Sequence, residues 1–151
     1  MALRKARTGI YMPKNMEKYI GTAVPVKYRS SWELTAFKFC DNNPNVIKWS
    51  YECIPIHYIK PLPNGNMKPA IYYPDLYVEY VTKTSEYKKE LLEIKPKKQT
   101  IKSRSKNIQT KMAENYVYVV NMAKWEAARR WCALKGDVTF KILTEKSIFG
   151  G

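Results

Sequence analysis

Two acidic residues and a lysine in the middle of the chain could act together on a phosphodiester bond. Asp75 follows Tyr73-Pro74, and Glu93-Ile94-Lys95 begins eighteen residues later. Side chains alternate across a β-strand, so Glu93 and Lys95 share one face of their strand, and Asp75 on a neighbouring strand can face the same way. The spacing therefore predicts that two carboxylates and an amine converge.

These residue types suit hydrolysis that depends on a hard divalent cation. Mg²⁺ takes oxygen ligands, keeps several waters and is commonly held by one or two carboxylates together with a substrate phosphate. Asp75 and Glu93 are the expected ligands of an ion that polarises the phosphate and lowers the pKa of a bound water. Lys95 is expected to position that water and stabilise the developing negative charge. Mn²⁺ is expected to substitute for Mg²⁺.

The charge balance indicates a polyanionic partner. The chain has 151 residues, and 27 Lys and Arg against 13 Asp and Glu give a formal net charge of +14. Nucleic acid is the leading candidate, because each neutralised phosphate releases condensed counterions. Charge alone does not distinguish DNA from RNA. We expect no membrane partner and no secretion, since no apolar run has the length of a span and no leader or acylation pattern opens the chain.

Cysteine and histidine usage narrows the chemistry. The three cysteines form no CxxC pair, and the chain has a single histidine. This composition excludes zinc fingers and most histidine-based triads. Any hydrolysis must therefore rest on carboxylates and lysines.

The elements that must position these residues follow from hydrophobic periodicity and turn residues. We expect residues 1–27 to form a basic, irregular arm rather than a pair of strands, and residues 28–151 to form a single domain. Ser30 or Ser31 is expected to cap a helix that ends at the Asn42-Asn43-Pro44 turn. The predicted strands are 46–59, 70–81, 90–96 and 137–145, and a second helix is predicted over 112–134.

The chain resembles the PD-(D/E)xK nuclease superfamily, because Pro74-Asp75 and Glu93-Ile94-Lys95 match its two half-motifs. Its surroundings resemble the TnsA-like endonucleases of transposons, and the likeness is strongest to the head-completion nucleases of T-even-like tailed bacteriophages. The fold that this resemblance implies is α/β, a restriction-endonuclease-like mixed β-sheet core flanked by helices. The segments that carry it are Tyr28-Arg29-Ser30-Ser31-Trp32-Glu33, Asn43-Pro44, Trp49-Ser50-Tyr51-Glu52, Tyr72-Tyr73-Pro74-Asp75 and Glu93-Ile94-Lys95-Pro96.

The resemblance also implies roles for particular residues. Asp75 and Glu93 would be metal ligands, and Lys95 would be the catalytic lysine. Glu33 would be an additional acidic residue near the metal, placed on the first helix, and Gln99 a polar site residue just past the motif lysine.

The implied activity is that of a Mg²⁺-dependent DNA endonuclease that trims or cuts DNA at the packaged phage head before the tail joins. Such a protein would be made in the host cytoplasm and reside in the virion, at the head or neck. Phage portal or head-tail connector proteins are its expected protein partners.

Basic residues near the motif are expected to contact the DNA backbone. A run of lysines and arginines leaves the catalytic strand directly, where a phosphate backbone would have to lie. The residues expected to bind DNA are Arg29, Lys97, Lys98, Lys102, Arg104 and Lys106.

Two other interpretations remain at this level. Gly9-Ile10-Tyr11 and Tyr19-Ile20-Gly21 match the tripeptides of GIY-YIG nucleases, a minor alternative. Only seven residues separate Tyr11 from Tyr19, fewer than such hairpins use, and Pro13 would remove a ladder hydrogen bond. The main alternative is a non-catalytic, DNA-binding structural protein of the head-tail junction.

Overall fold

A four-stranded mixed sheet lies at the centre of the computed structural model, which describes residues 7–149. The strand order is β3-β6-β7-β8, in which β6 is antiparallel to both neighbours and β8 is parallel to β7. The predicted mixed sheet flanked by helices is confirmed. The elements are β1 (Gly9–Tyr11), β2 (Val26–Tyr28), α1 (Ser31–Asn42), β3 (Val46–Tyr51), β4 (Ile56–Pro61), β5 (Met67–Tyr72), β6 (Leu76–Val81), β7 (Tyr87–Ile94), a 3₁₀ turn (Lys97–Thr100), α2 (Ile108–Lys135), β8 (Val138–Leu143) and α3 (Glu145–Phe149).

The two faces of strand β7 pack against different helices. Leu92 and Ile94 belong to the apolar core beneath α1, together with buried Phe37. Leu91, which points the other way, belongs to the core beneath α2, together with Trp125. Because side chains alternate along a strand, Glu93 has the same orientation as Leu91 and lies on the α2 face of the sheet.

Capping residues mark the ends of the two long helices. Ser30 caps α1 as predicted, since its hydroxyl accepts a hydrogen bond from the Glu33 amide at 3.2 Å. Asn107 caps α2, which therefore starts earlier than predicted, and Gly136 ends it at a φ of 86°, a left-handed conformation that glycine adopts without strain. Within residues 7–149, no helix has the length and apolar character needed to cross a membrane.

Two predicted strands are each divided in the structure. The segment 46–59 forms β3 and β4 in different sheets, and the segment 70–81 forms β5 and β6. Pro55 and Pro74 lie at the breaks, where a proline cannot donate a ladder hydrogen bond. Strands β4 and β5 pair with each other as a separate ribbon. The second break places Asp75 directly before β6 instead of inside a strand.

The prediction that the N-terminal arm lacks strands is wrong for its described part. Strand β1 pairs with β2 in antiparallel fashion, and Tyr11 and Val26 are buried in the core beneath α1. Both strands have three residues, too few to show a period in the sequence. Residues 1–6 of the arm lie outside the described residues, and the domain boundary at residue 27 stays a prediction.

The arrangement of the arm argues against a GIY-YIG site. Gly9–Tyr11, which contains the first tripeptide, pairs with Val26–Tyr28. Tyr19, in the second tripeptide, instead forms an isolated bridge with Trp49 of β3. The two tripeptides therefore do not lie on adjacent strands of one hairpin.

The carboxylate of Asp41, at the end of α1, holds the arm in place. It is fully buried and accepts hydrogen bonds from the Tyr11 hydroxyl and from the backbone N–H groups of Lys14 (2.7 Å) and Asn15 (3.0 Å). Burial alone would raise the pKa of Asp41, but these hydrogen bonds outweigh it and hold the pKa below its ordinary value of 3.8. The charged form is therefore the one that stabilises the fold.

Replacing this carboxylate is expected to destabilise the protein strongly. Asp41→Ala leaves buried donors unpaired and should lower the free energy of unfolding by about 3 kcal/mol. The contribution is present above pH 3.8 and lost as the pH falls through the lower folded pKa. Urea unfolding at pH 7 measures the loss, with the exposed Asp137→Ala as control. Equal stability of the two variants would contradict this role of Asp41.

Candidate active site

An open cavity of about 430 Å³ lies where β6 begins and β7 ends. Its acidic lining residues are Glu33, Glu52, Asp75 and Glu93, and its basic ones are Arg29, Lys95 and Lys124. The three residues of the predicted motif thus face one space. Their roles in catalysis stay predictions.

The sheet register brings the two motif carboxylates together. Leu76 of β6 is paired with Leu92 of β7, so the residues before and after them, Asp75 and Glu93, are neighbours. Asp75 is fixed by a hydrogen bond from the Ile94 amide to its Oδ2 at 2.6 Å. Glu93 is only 4% exposed, and its Oε1 is buried without a hydrogen-bond partner among the described residues.

The electrostatics of this pair indicate a place for a cation. Burial and then the charge of Glu93 raise the pKa of Asp75 well above its ordinary value of 3.8, although the Ile94 amide works in the opposite direction. Two carboxylates held together out of water are costly unless a positive charge lies between them. The unpaired Glu93 Oε1 and the neighbouring Asp75 carboxylate are oxygen donors of the kind that Mg²⁺ takes. The donor set therefore fits the ion.

Glu33 lies on the cavity wall with both carboxylate oxygens already engaged. Its Oε1 accepts a hydrogen bond from the Arg29 amide at 2.6 Å, and its Oε2 accepts one from the Tyr51 hydroxyl at 3.0 Å. Across residues 7–149, no three His, Cys, Asp or Glu residues form a group that could hold a metal ion. The geometry thus favours two carboxylate ligands, and Glu33 as a third stays a prediction.

The structure places Lys95 inside the cavity and Gln99 beyond it. The Lys95 Nζ lies 3.9 Å from Glu93 Oε2, and the Lys95 amide donates to the Leu143 carbonyl of β8 at 2.9 Å. Gln99 lies in the 3₁₀ turn and is not among the residues that line the cavity. Its catalytic role stays a prediction, and from this position its side chain does not line the cavity.

The residues expected to bind DNA lie at the cavity and along the following loop. Arg29 lines the cavity and pairs with Glu52. Lys97 and Lys98 lie on the 3₁₀ turn, and contact with Lys146 lowers the pKa of Lys97. The remaining residues of this set, Lys102, Arg104 and Lys106, are exposed in the loop before α2. We call residues 97–106 the basic loop.

Lys124 is a cavity residue that the sequence motif did not reveal. It reaches the cavity from α2, with its Nζ 5.5 Å from the centre of the Tyr72 ring. Burial, and then the charge of Lys95, lowers the pKa of Lys124. One signal was present in the sequence: Lys124 is one helical turn from Val120 and from Ala128, a spacing that puts it in the apolar stripe of α2.

Comparison with known proteins identifies relatives that share most of the chain. The family model described as the N-terminal domain of TnsA-like endonucleases matches residues 43–145, a range that contains both half-motifs. The chain is also 35% identical over 149 residues to the head completion nuclease of Enterobacteria phage T4, covering 95% of this chain and 94% of that protein.

Proposed function

The chain belongs to the TnsA-like endonuclease family, and we propose that it is a Mg²⁺-dependent endonuclease that hydrolyses phosphodiester bonds in DNA. The observation that supports this most directly is the buried Glu93, which has an unpaired Oε1 and neighbours Asp75 in a cavity that Lys95 also lines. The net charge of +14 supports a nucleic-acid substrate.

The proposed mechanism assigns one task to each motif residue. Asp75 and Glu93 would hold Mg²⁺, which when bound would polarise the scissile phosphate and lower the pKa of a coordinated water. The hydrogen bond from the Ile94 amide to Oδ2 fixes the Asp75 carboxylate at the cavity and supports this role. Lys95, a compact cation beside Glu93, would orient the attacking water and stabilise the charge that develops on the phosphate oxygens.

The biological step is proposed from the relative. Because the similar protein of phage T4 is named a head completion nuclease, we assign this chain to the completion of phage heads, with cleavage of DNA after packaging. A location in the virion and contacts with portal or head-tail connector proteins follow from that assignment. The rival is a structural DNA-binding protein of the same junction that keeps the fold without cutting.

A set of DNA substrates distinguishes these two functions. The purified chain is mixed with linear duplex, single-stranded and branched DNA, and with an RNA duplex, in Mg²⁺, Mn²⁺ or EDTA. We expect cutting of DNA in Mg²⁺ and Mn²⁺ and none in EDTA. Tight binding with no cutting of any substrate would favour the structural protein, and cutting of RNA alone would overturn DNA as the substrate.

The basic loop is expected to set the salt dependence of DNA binding. Lys98→Gln with Lys102→Gln should reduce the slope of log affinity against log salt by about 0.9 for each phosphate that the variant no longer neutralises. The measurement is fluorescence anisotropy of a labelled duplex in EDTA over a salt series. Lys83→Gln with Lys88→Gln, at the opposite end of β7, is the matched control. An unchanged slope in the first variant would remove the basic loop from the interface.

A further inference from the structure

Helix α2 carries a charged side chain within the row of residues that packs on the sheet. Val120 and Ala128 are both buried, and Lys124 lies one turn from each on the same face. An apolar residue would fill this position without losing any hydration, whereas a lysine gives up part of its water shell. The packing of α2 therefore gives no reason for a lysine here.

No carboxylate contacts the Lys124 ammonium group directly among the described residues, although the charges of Glu93 and Asp75 in the same cavity attract it. Among the described residues it forms no ion pair and no hydrogen bond, and its contact is with the Tyr72 ring at 5.5 Å. Lys95, which lines the same cavity, adds a second positive charge. A half-buried ammonium group that faces a like charge and has no direct ion pair is suited to an anion that arrives from outside.

We propose that Lys124 is a phosphate-binding residue that holds the DNA backbone at a phosphate next to the scissile one. This inference rests on the proposed function. Lys124 faces the cavity from helix α2 and Lys95 from the end of strand β7. The proposal therefore gives the neighbouring phosphate to Lys124 and leaves the charge that develops at the scissile phosphate to Lys95. The Tyr72 ring lies within cation–π distance of the Lys124 ammonium group, at 5.5 Å, and helps to hold it at the cavity. Asp75 and Glu93 remain free for the metal ion.

The test compares two lysines of α2 that both lie over aromatic rings. Lys124→Met removes the cavity charge at nearly constant length, and Lys124→Arg keeps the charge. Lys135→Met is the matched control, because the exposed Lys135 lies 5.2 Å from the Trp131 ring, away from the cavity. Duplex binding is measured in EDTA over a salt series, and thermal unfolding is measured on the same samples.

For Lys124→Met, we expect the slope of log affinity against log salt to fall by about 0.9, the value for one neutralised phosphate. Lys124→Arg and Lys135→Met should keep the natural slope. Lys124→Met should unfold at the same temperature as the natural chain or above it, because a half-buried unpaired charge is removed. If the methionine variant does not fold, Lys124→Gln provides the second neutral substitution.

Failure of this inference can be told apart from failure of the proposed nuclease. The phosphate contact would be overturned, even if the natural chain cuts DNA, by either of two results. Lys124→Met could keep the salt slope of the natural chain, or Lys135→Met could lose as much of that slope as Lys124→Met does. A reduced slope in Lys124→Met alone would support the contact even if the natural chain cuts nothing.

Discussion

Asp75→Asn is expected to slow DNA cleavage by orders of magnitude and, at neutral pH without metal, to make the fold more stable. The amide keeps an oxygen that can accept the hydrogen bond from the Ile94 N–H, so the backbone of β7 should be unchanged. The substitution removes one of the two proposed ligands. A metal ion supplies several kcal/mol of transition-state stabilisation, so the cleavage rate should fall by about 10³-fold or more.

The stability gain of Asp75→Asn should depend on pH in a defined direction. The folded pKa of Asp75 is raised above 3.8, first by burial and then by Glu93, so the natural chain loses stability as the pH rises from 3.8 through the folded pKa. Asparagine does not titrate. The variant should therefore show no advantage below pH 3.8 and a growing one above it, measured by thermal unfolding in EDTA.

Mg²⁺ should reverse this order of stability. Binding to the folded state raises the melting temperature of the natural chain and leaves that of Asp75→Asn nearly unchanged. Asp137→Asn, an exposed carboxylate paired with Lys89, is the control and should respond to Mg²⁺ like the natural chain. An equal response of the natural chain and Asp75→Asn would show that Asp75 does not hold the ion.

Lys95→Met is expected to slow cleavage by about 10²- to 10³-fold while DNA binding falls little. The lysine would act on charge that develops in the transition state, so its loss should lower the rate more than the affinity. Lys95→Arg should cleave DNA little faster than Lys95→Met, because a planar guanidinium does not replace a compact ammonium. Single-turnover rates at saturating chain concentration measure the effect.

Lys89→Met is the matched control for Lys95→Met. Lys89 lies in β7, the strand that Lys95 directly follows, and has the same orientation, but it pairs with exposed Asp137 at the far end. Its removal should leave the cleavage rate unchanged. If Lys95→Met cleaves DNA at the rate of the natural chain, or if Lys89→Met loses as much of that rate as Lys95→Met, the role given to Lys95 would be overturned.

The convergence of the motif residues could be predicted because it depends on local rules. Alternation along one strand places Glu93 and Lys95 together, and a short antiparallel connection brings Asp75 to them. The cap of α1 at Ser30 likewise follows from local chemistry. These features need no knowledge of distant contacts.

Other features could not be predicted because tertiary packing decides them. Residues on both sides of Pro55 and of Pro74 are rich in β-branched and aromatic types, so each run looks like one continuous strand. Periodicity alone therefore does not show that β4 and β5 form a ribbon separate from the central sheet. Strand β1 of the arm is tied to α1 by the hydrogen bond from Tyr11 to Asp41, which lies 30 residues further along the sequence. Lys124 reaches the cavity only because α2 packs across the sheet.

Radical cleavage of the polypeptide tests most directly whether a divalent cation binds between Asp75 and Glu93. Fe²⁺ replaces Mg²⁺, and ascorbate with peroxide then generates hydroxyl radicals that break the chain next to the bound ion; mass spectrometry locates the breaks. The account predicts breaks beside Asp75 and beside Glu93 that excess Mg²⁺ suppresses and that are absent in Asp75→Asn. Breaks confined to other segments, or breaks that Mg²⁺ does not suppress, would contradict the proposed metal site.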